Sequence, residues 1–416
     1  MRRARAVLAL LCVTALGPPS RAAAAQQPTA SSLQVFLVTL GEGRYYWEKF
    51  GHNALWFYDP ARGVDLAYNW GTFDFAEPGF LGRLLTGKNR YWVDTVSSTQ
   101  FFDYYRYYDR SITVQRLNLT PEQATRALEF SRWNSREENK FYQYDYFGDN
   151  CSTRVRDVID RALGGALKHA TASARTDHTY RRESVRLVDD MKLTQFGINA
   201  ALGQPSDVPL SVWEDMFAPA RMQQALANLS IPGPDGAPVR VVAEERVLYE
   251  SQRHSERATM PSLVLPYLIL GILIAAAMLA PAMLGERARG WEILFRVEST
   301  VWAAVTGLLG LVILLAWLIT AHVYWFRNEN LLLFNPLALF LAVLIPLSGR
   351  SRWQRPAAIC AIVLAMLAAL ALILKGIPVF RQENLAMIFL VLPAQFAVAY
   401  ALWSRTRPTV ASPATT

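Results

Sequence analysis

The sequence predicts an α+β exported domain with an antiparallel sheet, followed by a membrane domain of five helices. Three observations predict it. Strand-length runs of β-branched and aromatic residues lie between residues 33 and 117, capped helical patterns begin at Thr120, and five apolar runs fill the chain after Met260. The hydrophobic content of 52% over 416 residues averages two regimes and describes neither.

Met1-Arg2-Arg3-Ala4-Arg5 is basic, residues 6–16 are apolar and Ala22-Ala23-Ala24-Ala25 is a run of small residues. That is the pattern of a secretory signal peptide over 1–25, with an exported domain expected over 26–258 and a transmembrane domain over 259–416. In the exported part, 33–40 reads as a buried strand. The runs 54–58 and 64–70, joined by Asp59-Pro60-Ala61-Arg62-Gly63, read as a hairpin. Runs 91–96 and 112–117 read as further strands on either side of an aromatic stretch at 101–108. Thr120, Pro121 and Gln123 make an N-cap, first-turn proline and capping box for a helix reaching about Trp133. Val155, Val158, Ile159 and Leu163 recur at helical spacing, so a second helix begins near Asn150 and ends at Gly164-Gly165. Residues 168–185 are polar and weakly patterned, 187–202 and 211–229 read as helical with a break at Pro219, and 239–249 reads as a closing strand. No internal repeat stands out.

The apolar runs cover about 261–284, 299–321, 331–347, 357–374 and 385–403. Arg287, Arg289, Arg296, Arg350, Arg352, Arg355, Arg405 and Arg407 fall on one side of such a bundle, whereas the other side has only Arg327, Lys375 and Arg381. The positive-inside bias therefore puts residue 255 outside and the C-terminus in the cytoplasm. The expectation is a multi-pass protein of a bacterial inner membrane with a periplasmic N-terminal domain. The net charge of +8 is accounted for by topology, and no nucleic-acid partner is expected. The third run is short and carries Asn335-Pro336, which suits a tilted, re-entrant or packed segment.

Chemistry points to Cys151. Cys12 lies in the leader and Cys360 in an apolar run, so the exported part keeps one thiol with no partner for a disulfide. Its place at a helix start favours a thiolate. A thiol nucleophile needs a base. His254 is beside the membrane, His322 at a helix end, and His169 and His178 in the polar stretch, whereas His52 enters a strand directly after Gly51. The hairpin register sets residues 69–72 opposite His52, which makes Asn69 the expected orienter of its ring, with Asp74 and Asp65 as alternatives. Asp149, Arg154 and Asp74 are the candidates for substrate contact. The plainer reading makes Cys151 a small core residue, Asp149 and Ser152 helix caps, and Arg154, Arg156 and Asp157 a surface charge network. No His or Cys pair has metal-ligand spacing, and no metal or cofactor is expected.

Three motifs occur in order: Phe50-Gly51-His52-Asn53-Ala54-Leu55, Tyr68-Asn69-Trp70-Gly71-Thr72-Phe73-Asp74-Phe75 and Tyr144-Asp145-Tyr146-Phe147-Gly148-Asp149-Asn150-Cys151-Ser152-Thr153-Arg154. Together they resemble the Lnb-type lipoprotein N-acyltransferases, and Arg327-Asn328-Glu329-Asn330 with Asn335-Pro336 resembles that family's membrane domain. His before Cys, with Asn-Cys opening a helix, also resembles circularly permuted members of the papain-like (NlpC-like) thiol hydrolase and acyltransferase superfamily. The resemblance implies a permuted papain-like exported domain with Cys151 as nucleophile, His52 as general base and Asn69 as orienter. Trp70 stands where many relatives have tyrosine. The implied reaction moves an acyl chain from a phospholipid donor, through a Cys151 thioester, to the N-terminal amine of a diacylglyceryl lipoprotein acceptor. Two other readings compete: a membrane-anchored cell-wall thiol peptidase or amidase, and a tethered binding module in which Cys151 is inert.

Overall fold

A computed structural model describes residues 32–233, 236–253, 257–284 and 289–406. The expected signal peptide at 1–25 lies outside the described residues.

In chain order the exported part contains β1 (Gln34–Leu40), β2 (His52–Asp59), β3 (Val64–Thr72), α1 (Phe80–Thr86), β4 (Arg90–Ser97), α2 (Ser98–Tyr107), β5 (Ile112–Leu117) and α3 (Pro121–Asn134). Then come β6 (Phe141–Gln143), α4 (Cys151–Ala162), α5 (Ala166–Thr171), α6 (Tyr180–Leu187), α7 (Lys192–Ala201), α8 (Val212–Asp215) and α9 (Pro219–Asn228). The short pair β7 (Ser230–Pro232) and β8 (Pro238–Arg240) precedes β9 (Val242–Tyr249). The fold is α+β, as expected. Seven strands form one antiparallel sheet in the order β6-β4-β3-β2-β1-β5-β9.

Alternation along β1 divides the core. Val35 and Leu37 face a cluster that includes Val155, Val158 and Ile159 of α4 and Leu128 of α3, whereas Val38 and Leu40 face Phe101, Phe102 and Tyr105 of α2. Burying each such aliphatic side chain contributes about 1.5–3 kcal/mol, so a sheet covered on both faces holds its central strands firmly. The aromatic stretch after residue 100 is therefore a helix. Its Phe101, Phe102 and Tyr105 are core, while Tyr104 and Tyr107 are exposed.

The capping box at Thr120 is present, with Gln123 N donating to Thr120 Oγ1 and Thr120 N to Gln123 Oε1. Residues 168–185, expected to be weakly patterned, contain α5 and α6 instead. In α6 six of eight residues are buried, Arg181, Glu183 and Arg186 among them, which conceals the helix from any pattern based on apolar spacing. Arg181 is fully buried and pairs with Asp207 at 2.6 Å.

Among the described residues, five helical segments are long and apolar enough to cross a membrane: 264–284, 289–319, 329–347, 351–374 and 385–404. They comprise α10 (Val264–Leu284), α11 (Arg289–Ile319), α12 (Leu337–Leu347) with the turn before it, α13 (Ser351–Leu374) and α14 (Leu385–Ser404). The third segment breaks at Asn335-Pro336, where Asn335 Oδ1 accepts from Leu337 N and restarts the helix as α12.

The exported part is fastened to this bundle through main-chain groups. Carbonyls at the C-terminal end of α7 accept from Asn328 Nδ2 (Ala200 O, 2.9 Å; Ala201 O, 2.8 Å), Asn330 Nδ2 (Ala200 O, 2.9 Å), Gln382 Nε2 (Leu202 O, 3.2 Å) and Arg181 (Asn199 O and Leu202 O, both 2.6 Å). A helix end leaves its last carbonyls without internal partners, and here the membrane domain supplies most of them. A further main-chain contact joins the two parts, Ala321 N donating to Thr86 O at the end of α1.

Candidate active site at the Gly71 bulge

The N-terminus of α4 is fixed by Asn150. Its Oδ1 accepts from Ser152 N and Thr153 N, its Nδ2 donates to Tyr146 O and Phe217 O, and its own N–H donates to Thr153 Oγ1. Ser152 is buried beneath, accepting from Asn53 Nδ2 at 2.9 Å and donating to Met216 O at 2.6 Å. Cys151, on the first turn, is thereby held against the end of the β2–β3 hairpin.

What lets it approach is Gly71. Trp70 pairs with Val93 and Thr72 with Trp92, so Gly71 is the extra residue of a β-bulge, with φ of 94°. A Cβ at this position would stand 3.3 Å from Cβ of Cys151 and 3.7 Å from Cε1 of His52. Thiol and imidazole therefore close on the same small space, which only a residue without a side chain leaves open.

The β2–β3 register pairs Leu55 with Tyr68, so its continuation sets Gly71 opposite His52 and Asn69 one diagonal step away. His52 Nε2 is hydrogen-bonded to Asn69 Oδ1. An amide oxygen only accepts, so Nε2 carries the proton and Nδ1 is left as the ring's acceptor. Of the three expected orienters, Asn69 makes the contact. Asp65 instead accepts from Trp56 Nε1 at 2.7 Å, and Asp74, exposed, accepts from Ala76 N in its own turn.

Electrostatically the pair rests uncharged. Burial pushes the Cys151 thiol above its ordinary value, against the opposite pull of the N–H groups of Asn53, Ser152 and Cys151 itself and of the Arg110 charge. The helix start was expected to favour a thiolate; withdrawal from water outweighs it. His52 keeps part of its surface accessible, yet burial is the largest influence on it and, with Arg110, holds its pKa at about 4 despite the Asn69 hydrogen bond. Tyr105, Tyr142 and Tyr144 are all pushed upward by burial first; the nearness of Cys151 is the next influence on Tyr142 and Tyr144 and a smaller one on Tyr105, where Arg110 and Tyr104 come before it, so all three phenols stay neutral.

Arg110 is a residue that sequence reasoning missed. It is 5% exposed, its Nε donates to Gly41 O at 2.9 Å, and its guanidinium lies 5.0 Å from the ring of Tyr105. Tyr105 in turn stacks on His52 with centroids 6.3 Å apart. No short-range pattern announces it, because its side-chain hydrogen bond goes to Gly41, distant in sequence.

Of the expected substrate contacts, Arg154 binds Asp149 through Nε and Nη2 and covers the ring of Tyr142 at 4.1 Å. Tyr142 lies near enough to Cys151 for their ionisations to influence each other, so this ion pair borders the thiol's surroundings, whereas Asp74 stands in an exposed turn. Among the other histidines, His178 meets Asp215 at 2.9 Å, His322 meets Leu84 O and His169 is exposed, while His254 lies outside the described residues. Chemically, a thiol beside a ring with a free acceptor nitrogen, an amide fixing that ring and N–H groups around the sulfur can form and discharge an acyl-thioester.

No curated protein and no solved structure matches the chain. Two family descriptions do, in order: residues 21–187 match the Lnb N-terminal periplasmic domain, and residues 258–408 match the Lnb transmembrane domain. A periplasmic domain joined to five spanning segments makes this a multi-pass membrane protein. With the motifs around His52, Gly71 and Cys151 inside the first match and the five-helix bundle inside the second, the chain belongs to the Lnb-type lipoprotein N-acyltransferase family.

Proposed function

We propose that this protein moves an acyl chain from a membrane phospholipid to the N-terminal amine of a diacylglyceryl lipoprotein, with Cys151 as nucleophile, His52 as general base and Asn69 holding the imidazole. The observation that carries this reading is the convergence of those three residues at Gly71.

In the first half-reaction the Cys151 S–H gives its proton to His52 Nδ1 as sulfur attacks the ester carbonyl carbon of the donor. The tetrahedral adduct collapses with loss of the glycerol oxygen, which takes the proton from the imidazolium and leaves as lysophospholipid. An acyl-thioester remains on Cys151. In the second half the lipoprotein amine attacks the thioester carbonyl, its proton passes to His52, the C–S bond breaks and the thiolate recovers the proton. Backbone N–H groups beside the sulfur stabilise the oxyanion of each adduct. A neutral imidazole, as the depressed His52 pKa requires at neutral pH, is the form that can accept the first proton.

We further propose residues 1–25 as a cleaved leader, 26–258 as the exported catalytic domain and 259–416 as the membrane domain, set in the inner membrane with a cytoplasmic C-terminus. Anchored substrates suit a domain fastened to a bundle by buried polar contacts, which favours this reading over a cell-wall peptidase.

The test replaces Cys151 with Ser in a strain that depends on this protein and reads lipoprotein N-termini by mass spectrometry. N-acylation should be lost, together with a hydroxylamine-labile acyl adduct on the protein. N-acylation that persists in the substituted strain would sink the proposal.

A further inference from the structure

The chain contains two similar tetrapeptides, Arg327-Asn328-Glu329-Asn330, which runs into the start of the third spanning segment, and Arg381-Gln382-Glu383-Asn384, directly before the fifth. In the structure they interlock. Gln382 Nε2 donates to Asn328 Oδ1 at 3.1 Å and Asn384 Nδ2 to Asn330 Oδ1 at 2.9 Å. Glu329 N donates to Gln382 Oε1 at 2.7 Å, and Gln382 N to Glu329 Oε1 at 3.2 Å. Asn328, Asn330, Gln382 and Asn384 are all buried.

The leading arginines take no part in this interlock. Both line one cleft of about 430 Å³, walled by Trp317, Phe326 and Val208, at the end of the bundle on which the exported domain sits. Each arginine has an acidic residue two positions on, yet neither acid is available to it. Glu329 is engaged by Lys375, and Glu383 by Arg182 at 2.8 Å. Among the described residues neither Arg327 nor Arg381 has an ion-pair partner, so two exposed guanidiniums face the same cleft with their nearby negative charges already matched.

Arg327 is also held at φ of 50°, in the left-handed region that strains a side-chain-bearing residue. The neighbouring backbone imposes that conformation. Gly203 N donates to Tyr324 O at 2.8 Å and Gln204 N to Arg327 O at 3.4 Å, and a Cβ at Gly203 would collide with Phe326 O. Trp317 stands in the last turn of α11, followed by the exposed Leu318 and Ile319, so the apolar wall runs on into the lipid-facing surface of the bundle.

We infer that this cleft binds the phosphodiester of a membrane glycerophospholipid, with Arg327 and Arg381 holding the phosphate and an acyl chain descending along Trp317. A guanidinium pair matches phosphate oxygens by charge-assisted hydrogen bonds, and an aromatic at interfacial depth suits the glycerol region. The cleft adjoins the nucleophile's own segment: Tyr324, two residues before Phe326, packs at 4.8 Å on Phe147 in the loop that leads to Cys151. Its role as the donor's headgroup site rests on the proposed function; the binding itself does not.

The experiment therefore reads binding without turnover. The full chain carrying Cys151→Ala, in detergent, is titrated with spin-labelled short-chain phosphatidylglycerol, and the titration is repeated with Arg327→Gln and Arg381→Gln added. Affinity should fall at least about tenfold, as loss of a charge-assisted hydrogen bond implies, and diacylglycerol with the same chains should bind both proteins alike. Unlabelled phosphatidylethanolamine, which shares the phosphodiester, should compete in the unsubstituted cleft. Arg381→Gln alone, which leaves the strained backbone at Arg327 untouched, should weaken binding even if the double variant folds poorly. Unchanged binding in the single and double variants overturns the site. Displacement of lipid by inorganic phosphate as readily as by short-chain phospholipid overturns the lipid assignment in favour of a free-anion site. Persistent N-acylation in the Cys151→Ser strain would remove the donor role and leave these binding results standing.

Discussion

His52 Nε2 is tied to Asn69 Oδ1 across the β2–β3 hairpin, one diagonal step from the bulge at Gly71. The bond selects the tautomer that leaves Nδ1 as the ring's acceptor, and in the proposed mechanism Asn69 acts on the ring rather than on substrate. Asn69→Ala should accordingly lower kcat by about 10²-fold, within the range that a positioned general base supplies, with donor KM near the unsubstituted value. Donor titration in reconstituted membranes checks this. A rise in KM at constant kcat would assign Asn69 to substrate contact instead.

Arg110 contributes to the pH dependence. Burial and then the Arg110 charge keep the His52 pKa at about 4, so the neutral base is present throughout the range above that value. The acid limb of the acyl-transfer rate should lie near pH 4, with a flat profile toward neutrality. Removing the guanidinium removes a depressing influence, so Arg110→Gln should move that limb upward. The same substitution removes an influence that favours the thiolate, so alkylation of Cys151 at fixed pH should slow. A pH–rate profile paired with iodoacetamide kinetics reads both shifts.

Gly71→Ala tests the close approach. The added Cβ would sit 3.3 Å from Cys151 Cβ on a backbone with φ of 94°. Strain of about 1–2 kcal/mol should lower the unfolding midpoint modestly. Activity should fall far more than stability does, because the wedge enters the space that thiol and imidazole share.

The Arg181–Asp207 pair should dominate stability at the junction between domain and bundle. Both side chains are fully buried, and Arg181 also donates to Asn199 O and Leu202 O. Arg181→Ala removes the ion-pair partner of the buried Asp207 and should cost about 3–5 kcal/mol. Denaturant unfolding in detergent measures it, and hydrogen exchange should quicken first at the end of α7.

Short-range signals were legible in the sequence and long-range ones were not. The caps at Thr120 and Asn150 are set by residues three positions apart, and both helices start where those residues place them. The spanning segments follow from length and apolarity alone. By contrast α6 buries arginines and a glutamate, so its pattern reads as surface until Asp207 and Arg221 are brought to it. Arg110 answers to Gly41 and Tyr105, and the paired tetrapeptides at Arg327 and Arg381 matter only once their side chains interlock. The diagonal contact of Asn69 with His52 depended on a register that sequence narrowed to four residues and the sheet resolves to one.

The burial that keeps Cys151 protonated has a further consequence in an oxidising compartment. Peroxides and disulfides are attacked by thiolates, and susceptibility follows thiolate character and exposure. With the thiol raised by burial and only 9% exposed, the resting protein presents little reactive sulfur to its surroundings. A single unpaired cysteine so buried can then persist in a periplasmic domain without a reductase to restore it.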